Sequence, residues 1–223
     1  MLAISETSNG YFCFEWFITE DGPKIVNFQH LNIKTDLSDT KSLRNILTAL
    51  KPTLKNESNC LSLCLSNTNY SLSEFKYDSE FGLKKSVDWY ENSFLNTEYS
   101  NNHFINYYPL LQNNSFLVLT ISKKIKNNLV ETANDLGYDL VYLSTDIFSA
   151  STGIRQLYKL KKNKGYLVWK LAKNNYHYLI HMKDERICSY LKAKKSGKNI
   201  KRIIEIGDKV VLNKMSALLF STI

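Results

Sequence analysis

Apolar and polar positions alternate first with a strand period, then with a helix period, and the order of those switches predicts the fold. Residues 1–33 read as three strands: the apolar run from Met1 to Glu6, the aromatic run from Tyr11 to Ile18, and Lys24 to Ile33. Asn9-Gly10 and Asp21-Gly22 between them are hairpin turns. Leu43, Ile46, Leu47 and Leu50 then recur at helical spacing, and Pro52 ends that helix. Cys60 to Ser66 returns to strict alternation, with Leu61, Leu63 and Leu65 on one face and Cys60, Ser62 and Cys64 on the other.

Residues 67–113 change character, being polar and aromatic. They carry a helical stripe of Leu83, Val87, Tyr90 and Phe94 and a strand from His103 to Tyr108, and they read as an insertion between two core strands. Phe116 to Ser122 reads as the next core strand. A helix follows with Ile125, Leu129, Ala133 and Leu136 inward and Gly137 just past its end. Tyr138 to Leu143 is a short strand, and Thr145 to Lys161 a further helix with Ile147, Ala150, Ser151, Ile154, Leu157 and Tyr158 inward. After Gly165 the opening pattern returns as three strands, Tyr166–Leu171, Tyr176–Met182 and Arg186–Leu191. The last stretch reads as a strand around Ile203, Ile204 and Ile206 and a short helix ending in Leu218 to Ile223.

Three antiparallel strands followed by strand and helix in alternation give an α/β protein with a mixed five-stranded sheet and helices on its faces. That order resembles the ribonuclease-H-like sheet of the actin superfamily, and a second meander is how actin-like proteins begin their second domain. The expected division is a first domain over 1–164, carrying the inserted subdomain 67–113, and a truncated second domain over 165–223. Within the superfamily the chain is similar to the branch of type IV pilus assembly protein PilM and of FtsA. The resemblance rests on Ser86-Val87-Asp88-Trp89-Tyr90-Glu91-Asn92 in the insertion helix, on Asn102-His103-Phe104-Ile105-Asn106-Tyr107-Tyr108 in the strand after it, and on Ser144-Thr145-Asp146-Ile147-Phe148-Ser149-Ala150-Ser151 at a helix start. It covers roughly residues 1–205.

Actin-like ATPases hold phosphate with a D-x-G turn in each meander, where glycine lets backbone amides approach and the Asp holds hydrated magnesium. The corresponding turns here are Ser5-Glu6-Thr7-Ser8 and Lys170-Leu171-Ala172-Lys173-Asn174. The first has Ser5 for Asp and Thr7 for Gly, and the second has neither. The resemblance therefore implies the fold and a pilus or secretion role without implying ATP binding. No catalytic, cofactor-binding or metal-binding residue is expected. The expected function is a non-catalytic scaffold similar to PilM or to the cytoplasmic part of a general secretion protein L. It would bind the cytoplasmic tail of an inner-membrane protein in a groove near the insertion. A basic nucleic-acid-binding protein on the same fold and a degenerate nucleotide-binding ATPase are the alternatives.

Composition narrows the classes further. The chain has 223 residues, 43% hydrophobic and 22% charged, which suits a folded protein. It holds no apolar run long enough to span a membrane. Met1 runs into a strand without a basic leader, and the expectation is the cytoplasm, peripheral to the inner membrane. Of the net charge of +8, residues 155–202 supply 15 basic and 2 acidic side chains, whereas residues 1–154 carry 12 basic and 17 acidic. With 25 Lys against 4 Arg, the forked donors that read bases and phosphates are few, which argues against nucleic acid. A lysine-rich turn from Lys192 to Arg202 is instead expected to touch anionic lipid weakly. Cys60 and Cys64, four residues apart on one strand, are about 13 Å apart and share neither a disulfide nor a zinc. His177 and His181 are separated in the same way. A two-metal nuclease needs clustered carboxylates, and the first two strands offer only Glu6 and Glu15. Trp89 and Tyr90 are adjacent on the insertion helix and cannot both be buried, so one of them is a candidate partner contact.

Overall fold

A computed structural model describes residues 1–7, 10–39, 41–55, 59–111, 114–157, 165–171, 176–184, 186–194, 196 and 218–221. These form two compact units, Met1–Tyr70 with Ile121–Asp146, and Ser71–Thr120 with Ile147–Ile223. The expected domain boundary at residue 164 falls inside the second.

The first unit is built on the expected five-stranded mixed sheet. Its strands are β1 (Leu2–Thr7), β2 (Gly10–Thr19), β3 (Gly22–Leu31), β4 (Cys60–Leu65) and, as the fifth, Asp139–Thr145, in the order β3-β2-β1-β4 and then that last strand. The meander β1–β2–β3 is antiparallel, whereas β4 runs parallel to β1 and to the fifth strand. One face carries Leu2, Ile4, Tyr11, Cys13, Leu61, Leu63 and Leu65, all buried, as the alternation required. Helix α1 (Ser42–Leu50) buries Leu43, Ile46, Leu47 and Leu50, and a 3₁₀ turn at Lys51–Thr53 carries Pro52. Gly10 is obligatory: a Cβ there would stand 2.0 Å from the Leu31 carbonyl oxygen.

The second unit begins with β5 (Ser71–Lys76), helices α2 (Gly82–Phe94) and α3 (Thr97–Asn102), β6 (His103–Pro109) and β7 (Ser115–Ser122). The chain order continues with α4 (Lys123–Asp135), β8 (the fifth strand, Asp139–Thr145) and α5 (Asp146–Leu157). In α4, Leu129 and Ala133 are buried, and Gly137 at φ 80° ends the helix while Tyr138 N–H donates back to the Ala133 carbonyl.

Two expectations are corrected here. Phe116–Ser122 was expected to be a core strand of the main sheet. It is the central strand of a separate three-stranded sheet, β5-β7-β6, pairing antiparallel with β5 from Ser71↔Thr120 to Lys76↔Ser115. Its continuous burial, Ser115 to Thr120, means that side chains on both faces of the strand are covered. The insertion therefore includes β7 as well as residues 67–113. SLSEFK shows no apolar alternation, so β5 owes its strand form to pairing with β7.

A second sheet in this unit has the order β11-β10-β9-β12, from β9 (Tyr166–Leu171), β10 (Tyr176–Lys183), β11 (Arg186–Lys194) and β12 (Leu218–Ser221). The first three form the expected antiparallel meander. The second correction is at β12: the segment expected to be a short helix is a strand parallel to β9, with Leu218↔Leu167 through Ser221↔Lys170. Pairing with β9 gives the backbone of this segment ladder hydrogen bonds over four residues, whereas a short isolated helix is marginal. This sheet thus repeats the meander-plus-parallel-strand plan of β1–β4. The strand expected around Ile203 lies outside the described residues.

Candidate functional site

At the C-terminal ends of β1 and β4, where open α/β sheets bind ligands, the first unit holds a polar network. Glu6 is 2% exposed. Its Oε2 accepts from the Ser66 backbone N–H at 3.0 Å and from Asn69 Nδ2 at 2.9 Å. Thr68 Oγ1 donates to Asp36 Oδ2 at 2.6 Å and meets Ser66 Oγ at 2.7 Å. Burial works to raise the Asp36 carboxyl, but hydrogen bonds from the Ser38 backbone and from the Thr68, Asn69 and Ser38 side chains outweigh it and hold it below the usual range. Tyr70 donates to Asp146 Oδ1 at 2.6 Å. The network ties the 35–39 and 66–70 loops to the strand ends, and its carboxylates are occupied as acceptors.

Glu15, the other carboxylate weighed for metal chemistry, is also 2% exposed. It accepts from Lys55 N–H at 2.8 Å. The register sets Glu6 opposite Tyr11 and Glu15 opposite Leu2, so the two sit at opposite ends of the strand pair, about 13 Å apart. Among the described residues no group of three His, Cys, Asp or Glu could hold a metal ion. Cys60 and Cys64 are half-buried and in no disulfide. His177 is buried and His181 half-buried on β10, four residues apart. Burial, and then Lys183, lower the His181 imidazole. Lys192 and Lys194, expected in the basic turn, instead lie on β11, paired with β10, and Lys192 Nζ stands 5.1 Å above the Tyr176 ring and 5.7 Å above the Tyr178 ring. Lys195, Lys198, Lys201 and Arg202 lie outside the described residues, as do Lys159, Lys161, Lys162 and Lys164 and the 172–174 turn.

The second unit carries two concave surfaces. Helix α2 packs on the three-stranded sheet through an aromatic cluster. Phe75 meets Tyr90 at 4.8 Å, Phe116 at 5.3 Å, Phe94 at 5.4 Å and Trp89 at 5.9 Å between ring centroids. The stripe expected to be inward is incompletely covered, since Ser86 is the one buried residue of α2. Of the adjacent pair, Tyr90 faces the sheet while Trp89 is 53% exposed. Phe81 and Phe94 are also exposed, at 63% and 59%.

Two cavities flank this helix. A groove of about 380 Å³ lies between the end of β5 (Phe75, Lys76), the connection that follows it (Tyr77, Phe81), and Lys85 and Trp89 of α2. A pocket of about 290 Å³ lies at the other end of α2. Ser71, Ser73, Asn96, Tyr99 and Thr120 give the pocket hydrogen-bonding groups, and Phe94, Leu95 and Val118 an apolar wall. Tyr99 is fixed by its hydroxyl on Thr120 Oγ1 at 3.2 Å and by stacking on His103 at 4.0 Å. Asn96 caps α3 by accepting from Tyr99 N–H. Such a pocket can hold an extended peptide, binding backbone by amide and hydroxyl and one side chain by the aromatic wall.

No protein-family model and no curated protein sequence match the chain. Solved structures do. The structure of a PilM-PilN type IV pilus biogenesis complex matches 92% of this chain and 65% of its own, at TM-score 0.63 and 13% identity. A Bacteroides thetaiotaomicron protein with an actin-like ATPase fold matches 96% of this chain and 77% of its own, at TM-score 0.48 and 12% identity. The cytoplasmic domain of EpsL, an inner-membrane component of the Vibrio cholerae type II secretion system, matches 86% and 70%, at 0.48 and 8%. The chain has an actin-like fold, and it spans about 65% of the length of the pilus protein it matches.

Proposed function

We propose that the protein is a non-catalytic actin-like scaffold of a type IV pilus or type II secretion-like inner-membrane assembly, holding the cytoplasmic tail of a membrane protein. The observation that carries this reading is the pocket at the end of α2, which pairs fixed polar groups with an exposed aromatic wall on the inserted subdomain. The structural likeness to a pilus protein solved together with a partner supports it. The missing catalysis is supported by Glu6. Its carboxylate already takes the Ser66 N–H and the Asn69 amide, so donors at this strand end serve an internal anion instead of a phosphate.

The test is photo-crosslinking in cells with benzoylphenylalanine in place of Phe94. The expected product joins this chain to a segment next to the transmembrane helix of a membrane protein. Adducts with soluble proteins alone, or none, overturn the reading. The non-catalytic half fails separately, if Mg·ATP raises stability by about 2.7 kcal/mol, the linkage expected at a hundred times Kd. Weak contact of the Lys192–Arg202 segment with anionic lipid belongs to the same proposal. It is checked by co-sedimentation with phosphatidylserine vesicles at low and physiological salt, comparing Lys194→Glu with the parent.

A further inference from the structure

We infer that β5 is a homotypic pairing edge, at which two copies of this chain join their three-stranded sheets into one six-stranded sheet across a two-fold axis. Among the described residues β5 is an edge strand, flanked by β7 on one side only. The direction of its backbone groups follows from two bonds. Tyr77 N–H, next after β5, donates to the Asn114 carbonyl on the β7 side at 2.9 Å. Antiparallel bonding alternates along a strand, so odd-numbered residues pair inward, and Leu72, Glu74 and Lys76 turn N–H and C=O outward. Tyr190 confirms this by donating its hydroxyl to the Leu72 carbonyl at 3.3 Å. That bond closes the edge at Leu72 and leaves Glu74 and Lys76 as the pairing positions.

Exposed strand edges are ordinarily guarded by charge. Here the guard is self-complementary. Turned about a two-fold axis through Phe75, β5 sets Glu74 opposite Lys76 of the second copy and Lys76 opposite its Glu74. Both are outward-facing hydrogen-bonded positions, and Phe75 stands opposite Phe75. Each end then gains an opposite-charge cross-strand pair, and the centre an aromatic one. Among the described residues Glu74 and Lys76 are exposed, and Lys76 makes no ion pair. The apolar groove beside this edge fits the same arrangement. Its walls are β5, α2 and the connection between them, with no residue from β6 or β7. The two-fold brings the exposed Phe81 and Trp89 of each copy toward those of the other. The contact is isologous and closes at two copies. It leaves the pocket at the other end of α2 to a different partner.

The experiment is sedimentation velocity on the full chain over a concentration series, with folding of each variant checked by circular dichroism. The parent is expected to sediment at twice its 25.8 kDa mass. Lys76→Glu and Glu74→Lys each place like charges opposite one another and are expected to be monomeric. An equimolar mixture of the two restores both charge pairs and is expected to sediment as a dimer. A monomeric parent, a dimeric Lys76→Glu chain, or a mixture that stays monomeric overturns the inference. Ser115 loses its acceptor on Glu74 in the Glu74→Lys chain. If that variant misfolds, Trp89→Glu replaces it as the second disrupting change, and a dimer there overturns the inference as well.

Discussion

Replacing Glu6 separates a structural carboxylate from a catalytic one. In Glu6→Ala the Ser66 N–H and the Asn69 amide lose a charged acceptor in a site that is 2% exposed. Hydrogen bonds to charged groups contribute about 1.5–3 kcal/mol each, and a stranded buried donor costs about 1–3 kcal/mol. The two terms overlap, because losing the bond is what strands the donor, so the expected loss is about 3–5 kcal/mol. Glu6→Gln keeps an oxygen able to accept from both donors, while it loses the charge and turns the other oxygen into an amide donor. Neutral bonds are about half as strong, so its expected cost is about 1–2 kcal/mol. The assay is urea unfolding followed by far-ultraviolet circular dichroism, reading the midpoint at constant slope. At about 2 kcal/mol per molar, Glu6→Ala lowers the midpoint by about 2 M and Glu6→Gln by less than 1 M. Equal losses in the two variants would refute the hydrogen-bond account. A neutral or stabilising Glu6→Ala would refute the structural role, and fits a carboxylate kept for chemistry at a cost in stability.

The aromatic cluster gives a contrast on one helix–sheet contact: Phe116→Ala, fully buried, is expected to cost about 3–5 kcal/mol, whereas exposed Trp89→Ala stays within about 1 kcal/mol by the same unfolding assay. The lowered Asp36 carboxyl contributes stability that is present above the unfolded carboxylate range and is lost as pH falls through the folded value. Asp36→Asn is therefore expected to flatten the acid limb of a plot of unfolding midpoint against pH. Burial pushes the Cys13 thiol up to about 12, so alkylation of the native protein near neutral pH should mark half-buried Cys60 and Cys64 and spare Cys13, as read by peptide mass mapping. Excising 67–113 removes both partners of β7 and leaves its apolar residues unpaired, so that deletion is expected to aggregate. A linker in place of 71–120 removes the whole sheet and should leave soluble protein, read by light scattering.

The first sheet was legible because each strand buries one face. Leu61, Leu63 and Leu65 alternate with half-buried Cys60, Ser62 and Cys64, and such a pattern fixes both strand and face. β7 was legible as a strand and illegible as to its sheet. FLVLT is apolar on both faces, and a strand buried on both faces carries no mark of which neighbours it joins. β5 was lost for the opposite reason, since only Leu72 on it is buried and pairing with β7 supplies what its side chains do not. At the site, adjacency showed that one of Trp89 and Tyr90 is exposed but not which, and the packing of Tyr90 on Phe75 decides for Trp89. The pocket was not, because its walls come from β5, β7, α2 and α3, which long-range pairing brings together. The role of Glu6 was also hidden, as its partners lie 60 and 63 residues along the chain.

The excursion through β5, α2, α3, β6 and β7 also bears on the order of events as the molecule forms. The first sheet closes when β4 finds β8, whose pairing starts at Cys60↔Asp139, across a loop of 79 positions. An unstructured loop of that length carries a larger entropic penalty than one of about 30. By (3/2)RT ln n the difference is about 0.9 kcal/mol, roughly fourfold in rate. A chain in which β5 and β7 have already paired presents the shorter loop to β4 and β8. The inserted sheet thus acts as an internal splint, and weakening the Ser71–Lys76 ladder should slow the closure of a sheet to which it contributes no strand.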